Sequence, residues 1–209
     1  MSAAPVLRLR RTQEESSSST RARLLDATIE CLLELGYAGT TTTEIAGRAG
    51  VSRGAQLHHF PTKQELVLTA VEYLAERRHD EFTHAFAQLP DGADRAAAAI
   101  DLLWPILSGP TFYVWLELAV AARTDAELRR SVTATTQRVM ERVLATFREL
   151  FPDPPGGNVL AEPPKFVFAL LNGMALDKML NPDDPALAEQ LAVLKALARL
   201  VQSPGLSPT

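Results

Sequence analysis

The stretch at residues 40–63, TTTTEIAGRAGVSRGAQLHHFPTK, decides the fold. Ile45, Ala46 and Ala49 form one apolar face at helical spacing. Thr41 followed by Glu44 has the form of a capping box, so a helix starts at Thr41 or Thr42. Gly50 stands where the chain leaves that helix, with the positive φ that glycine tolerates best. Val51 turns back inward and Ser52 caps a second helix of about residues 53–59. Pro61 ends it, because the residue before a proline is pushed out of the α region. With a small side chain at Ala46 the two helices cross closely. The unit is a helix-turn-helix.

Such a unit reads DNA by laying the start of its second helix against base edges in the major groove. That helix carries Arg53, Gly54, Gln56, His58 and His59, many donors with little bulk at its start. Arg forks onto guanine and Gln onto adenine, while Ser, Thr and Lys hold phosphates. Arg53 is therefore the expected base contact, joined by Gln56, His58 and His59. Thr42, Thr43, Ser52 and Lys63 are expected on phosphates, with Thr43 near a base edge. An ordinary helix pair inside a bundle is the plainer alternative.

At these residues the chain resembles the TetR family of transcriptional regulators. The resemblance covers residues 20–35, then Gly36-Tyr37-Ala38-Gly39-Thr40-Thr41-Thr42, Ile45-Ala46, Ala49-Gly50-Val51-Ser52-x-Gly54 and Phe60-x-x-Lys63-x-x-Leu66. It implies a DNA-binding head, a helical ligand-binding half, a dimer through the last two helices, and repression by blocking a promoter. One departure matters. The family places Leu then Tyr where this chain has Gln56-Leu57, the Leu in the core and the Tyr on a phosphate. Gln56 can thus face core or DNA, and the Tyr contact is lost.

Composition fits a globular chain of 209 residues with 46% apolar and 22% charged side chains. The net charge of −4 argues against a protein that coats DNA without choosing sequence, the second functional reading. Its distribution is uneven: eight bases against six acids in residues 1–63, and 13 against 19 in the rest. A single cysteine, Cys31, excludes an internal disulfide framework. Met1 to Arg11 lacks the apolar run of a secretory leader, so a cytoplasmic protein is expected.

A third reading is catalytic. Gly50-Val51-Ser52-Arg53-Gly54 matches G-x-S-x-G, yet that elbow needs a strand before the serine, and a helix precedes it here. His58 and His59 share the short helix after Ser52 and cannot swing back as its base. The chain has no phosphate-cradling glycine loop and no Cys/His metal spacing, and His79 and His84 are off the same-face spacing for a shared metal. No catalytic residue, metal or cofactor is expected.

The rest reads as helices. Residues 1–19, with Arg8, Arg10, Arg11 and the run Ser16 to Ser19, suggest a disordered arm, either a solvated tail or a reach into the minor groove. A DNA-binding head follows over residues 20–63, and a ligand-binding, dimerising body over residues 64–205. Residues 64–88 form a long helix, and five more are expected near 94–107, 112–122, 126–151, 164–180 and 186–201, about nine in all. The last helix bears two apolar rows: Leu187, Leu191, Leu194, Ala198 and Val201, and separately Val193, Leu197 and Leu200. Two rows need two partners. The second is most simply another copy, giving a twofold dimer through a four-helix bundle.

A small-molecule pocket is expected within the body. Trp104, Phe112 and Trp115 supply large walls and Met174 an adaptable one, although an aromatic stripe is also plain core. Glu117 lies inside the apolar run FYVWLELAVAA, where a buried carboxylate needs a partner. Arg123, Arg138 or Arg142 would serve; alternatively Glu117 joins Asn172 and Asp177 in orienting a ligand. The expectation is an all-α dimeric repressor released from a palindromic operator by a small molecule.

Overall fold

The computed structural model describes residues 13–152 and 163–202. Among them run nine α-helices and no strand: α1 (Gln13–Gly39), α2 (Thr42–Ala49), α3 (Arg53–His59), α4 (Lys63–Ala87), α5 (Arg95–Leu107), α6 (Pro110–Ala122), α7 (Ala126–Leu150), α8 (Pro163–Leu180) and α9 (Ala186–Gln202). The all-α class stands as expected. Where a disordered arm to residue 19 was expected, α1 starts at Gln13 and takes the serine run into its first turns. No Gly or Pro interrupts that run, and extending an existing helix costs far less than starting one. Arg8, Arg10 and Arg11 lie outside the described residues, as do residues 153–162.

The chain divides into two compact units, Met1–Ala70 and Val71–Thr209. In the first, α1 lays Leu24, Leu25, Thr28, Cys31 and Leu32 against Ile45, Ala46 and Ala49 of α2. Leu66, Val67 and Ala70 of α4 are fully buried in the same unit. Gly36, at φ 65° and ψ 178°, breaks α1. Thr40 then ties the exit down, its hydroxyl and its backbone N–H both donating to the Gly36 carbonyl at 2.7 and 3.1 Å. Cys31 sits fully buried against α2, and burial pushes its thiol pKa up. It packs as a small core residue.

In the second unit, Ile100 and Leu107 of α5, Leu171 and Met174 of α8, and Leu187 and Leu194 of α9 form one buried cluster. Asp94 caps α5 by accepting from the Ala97 N–H at 3.0 Å and also pairs with Arg199 of α9. Between residues 71–87 of α4 and α7 runs a polar ladder: Glu72 with Arg138, Glu76 with Arg142 at 3.0 Å, and His79 with the Thr146 hydroxyl at 2.7 Å. His79 is therefore engaged with α7. Phe82, Phe86, Phe147 and Phe151 stack at the end of the ladder, with ring centroids 5.0 to 5.8 Å apart.

Candidate nucleic-acid interface

The helix-turn-helix is built by the local signals that announced it. The Thr41 hydroxyl accepts from the Glu44 N–H at 3.1 Å and starts α2. Gly50 ends it in the left-handed region at φ 62° and ψ 39°. The Gly50 and Val51 N–H groups return to the carbonyls of Gly47 and Ala46, at 3.1 and 3.0 Å, a paired closure that satisfies two of the helix's last carbonyls. The Ser52 oxygen accepts from the Ala55 N–H at 3.2 Å, so the serine of G-x-S-x-G serves as a helix cap. Its hydroxyl hydrogen remains available to a phosphate.

The candidate DNA residues divide sharply. Thr43, Ser52, Arg53, Gly54 and His58 are exposed, and Thr42 and His59 half-buried. Gln56 is not part of that surface. It is 0% exposed, and its Nε2 donates to the Phe60 carbonyl at 2.7 Å, one turn along the same short helix. Its Oε1 is buried without a partner. Gln56 thus occupies the core position and Leu57 beside it is exposed, the orientation implied by the family's Leu–Tyr order.

Lys63 also departs from expectation. Its ammonium donates to the Tyr37 carbonyl at 2.6 Å and stands 4.2 Å from the Tyr37 ring centroid. Burial lowers its pKa. The group expected on a phosphate fastens the start of α4 to the end of α1, because an ammonium near a carbonyl and a ring face finds partners without water. Three more of the unit's described cations are occupied too. Arg21 lies 5.4 Å from the Phe60 ring centroid, Arg23 donates to the Ala49 and Gly50 carbonyls, and Arg48 pairs with Glu34 at 2.8 Å. Among the described Lys and Arg of this unit, Arg53 alone has no partner among the described residues. The sequence does not announce the internal roles of Arg23 and Arg48, whose partners lie on another helix.

The ligand candidates scatter. Met174 belongs to the α5–α8–α9 cluster, against which Trp104 packs half-buried. Phe112 is buried beside Tyr113 and Trp115, at centroid distances of 5.8 and 6.2 Å, and Asn172 is half-buried. Glu117 is exposed, so the burial cost that singled it out does not arise. Arg138 and Arg142, proposed as its partners, pair with Glu72 and Glu76 instead. Apolar residues stand out on another face: Phe166, Leu170, Leu176, Met179 and Leu180 on α8, with Val193 and Leu197 on α9, are all exposed. The α9 pair is the second row read from the sequence. The α8 row is legible only as apolar residues in excess of one inward stripe.

A helix-turn-helix with one free arginine at the start of its second helix, carried on an all-α chain, defines a DNA-binding transcriptional regulator. Comparison with known proteins gives the family. Residues 24–70 match the model for bacterial regulatory proteins of the tetR family, and residues 108–202 match the C-terminal model of BetI-type transcriptional repressors. An uncharacterised HTH-type transcriptional regulator of Mycobacterium bovis is 34% identical over 194 residues, which span 90% of this chain and 96% of that protein. The HTH-type transcriptional regulator CymR of Pseudomonas putida is 39% identical over 129 residues, 62% of this chain and 64% of CymR. A solved structure of a TetR-family member from Streptomyces coelicolor A3 superposes with a TM-score of 0.63 at 25% identity, covering 85% of this chain and 97% of that one. The chain belongs to the TetR family of transcriptional regulators.

Proposed function

We propose that the chain is a homodimeric repressor whose paired heads read a palindromic operator and leave it when a small molecule enters the body. The observation that carries this reading is Arg53, exposed at the first position of α3 and without a partner among the described residues. An unengaged guanidinium at the start of a recognition helix suits a forked contact to guanine. His58 and His59 lie further along α3, Gly54 keeps its start slim, and Thr42, Thr43 and Ser52 flank it with hydroxyls for phosphates. The exposed apolar rows of α8 and α9 support pairing of two copies, which would close into a four-helix bundle about a twofold axis.

Regulators of this family bind DNA and small-molecule ligands. For the effector, Trp104 and Met174 at the α5–α8–α9 cluster and Phe112 with Trp115 on α6 are the candidate apolar contacts, and Asn172 the candidate polar one. Release requires that the ligand bind more tightly to a dimer whose heads no longer match successive major grooves. Such a protein works in the cytoplasm, where the chromosome is.

Selection of bound sequences from random duplex DNA with the purified chain tests the reading. It should return an inverted repeat whose half-sites lie about one helical turn, or a multiple of it, apart. Recovery of unrelated sequences sinks operator reading, and a lone half-site sinks the dimer. Titration of the operator complex with a small-molecule library tests release, and an affinity that no compound alters sinks the inducer step.

A further inference from the structure

We propose that Arg23, a residue of α1, is a positioning residue for DNA recognition: it clamps the carbonyl end of α2 and so sets the turn from which α3 departs. The inference rests on the head reading DNA, but its geometry stands apart from that reading. The closure at Gly50 uses the carbonyls of Ala46 and Gly47. The Ala49 and Gly50 carbonyls, at the end of the same helix, are taken by one nitrogen of Arg23, Nη2, with Gly50 O at 2.9 Å. The contact joins residues 26 and 27 positions apart, so no local turn preference produces it. A cation there also meets the negative end of the α2 dipole.

A side chain at position 50 would push the guanidinium off its carbonyls. A Cβ built on Gly50 would lie 2.8 Å from Arg23 Nη2. The Val51 N–H bond to the Ala46 carbonyl and the Ser52 cap follow at once, so the clamped carbonyls lie within three to four residues of Arg53 and in the same fixed turn. Arg23 is exposed, and from sequence alone an exposed arginine near a DNA-reading helix suggests a phosphate contact. The two roles make different predictions. A phosphate contact contributes equally to every sequence and steepens the salt dependence, whereas a clamp affects the sequence-reading part and leaves the salt slope alone.

The test uses the full chain with Arg23→Ala and Arg23→Lys, measured far below their melting temperatures against the selected operator and against random DNA over a range of salt. The clamp predicts that Arg23→Ala weakens operator binding on the order of tenfold, the typical cost of one misplaced base contact. Random-DNA affinity and the salt slope stay as in the parent, and Arg23→Lys regains part of the loss by donating to the same carbonyls. Equal weakening on all DNA with a slope flattened by about one unit makes Arg23 a phosphate contact and overturns the proposal. Unchanged operator affinity overturns it as well.

A melting-temperature cycle with Gly50→Ala checks the geometry without DNA. The substitution should lower the melting temperature less in the Arg23→Ala background, where the 2.8 Å approach is gone and only the positive φ remains. Additive shifts would overturn the clamp. A parent chain that selects no sequence would sink the DNA reading, while this cycle still decides the clamp.

Discussion

Gly54→Ala should make the protein more stable and a worse DNA binder. Beyond its own turn of helix, a Cβ built on Gly54 meets only Ser52 Oγ, at 4.0 Å, and the backbone there has no positive φ. Nothing in the chain requires glycine at this position. A glycine inside a helix costs about 0.5–1 kcal/mol relative to alanine, and the second residue of a short helix takes the lower part of that range. For a chain of this length about 0.5 kcal/mol raises the melting temperature by roughly 1–2 °C. The DNA side has the opposite sign. A methyl group pressed into a fitted contact costs about 1–3 kcal/mol, by analogy with overpacked cores. That range is about 5- to 150-fold in affinity. Thermal unfolding and fluorescence anisotropy with a labelled operator measure the two effects separately. A variant that melts higher and binds the operator as tightly as its parent would refute the placement of α3 against the duplex. One that melts lower would refute the local argument.

Three further outcomes are expected. Arg53→Ala should relax sequence choice at one base pair by about 1–3 kcal/mol, read by repeating the selection, and an unaltered preferred sequence would remove Arg53 from base reading. Asp94→Ala should cost about 1 kcal/mol of stability near neutral pH through the lost cap on α5. The Arg199 hydrogen bond, then the Ala97 N–H, hold the Asp94 carboxyl below its ordinary 3.8. Its charged form therefore stabilises the fold above that value and loses this as pH falls through the folded pKa, so parent and variant melting curves should converge in acid. Leu197→Glu, on the exposed row of α9, should leave a folded monomer by analytical ultracentrifugation; a dimer unaffected by it would move the pairing surface elsewhere.

The head was legible because its determinants are local. Thr41 with Glu44, Gly50, and Ser52 with Ala55 each act within a few residues, so sequence spacing carries the geometry. What escaped depends on distant partners. Gln56 reads as a donor on a recognition helix, yet its burial is decided by where the core lies. Lys63 reads as a phosphate cation because Tyr37, the group that holds it, is 26 residues away. In the body, the apolar run around Glu117 suggested a buried carboxylate, but exposed Glu117 and Val120, the latter at 60%, show that α6 has an outer face. The second row of α9 was visible because an apolar surplus needs only periodicity to be seen.

The inward turn of the head's cations bears on how the protein finds its target. Over residues 13–70 the chain holds five bases and seven acids, so this portion offers a duplex no net pull from afar. Capture must begin at touching distance or draw on the arginines at positions 8, 10 and 11. Association from the described residues alone would then proceed without electrostatic acceleration and change little with ionic strength. A rate of encounter that collapses in brine would trace the attraction to that basic leader.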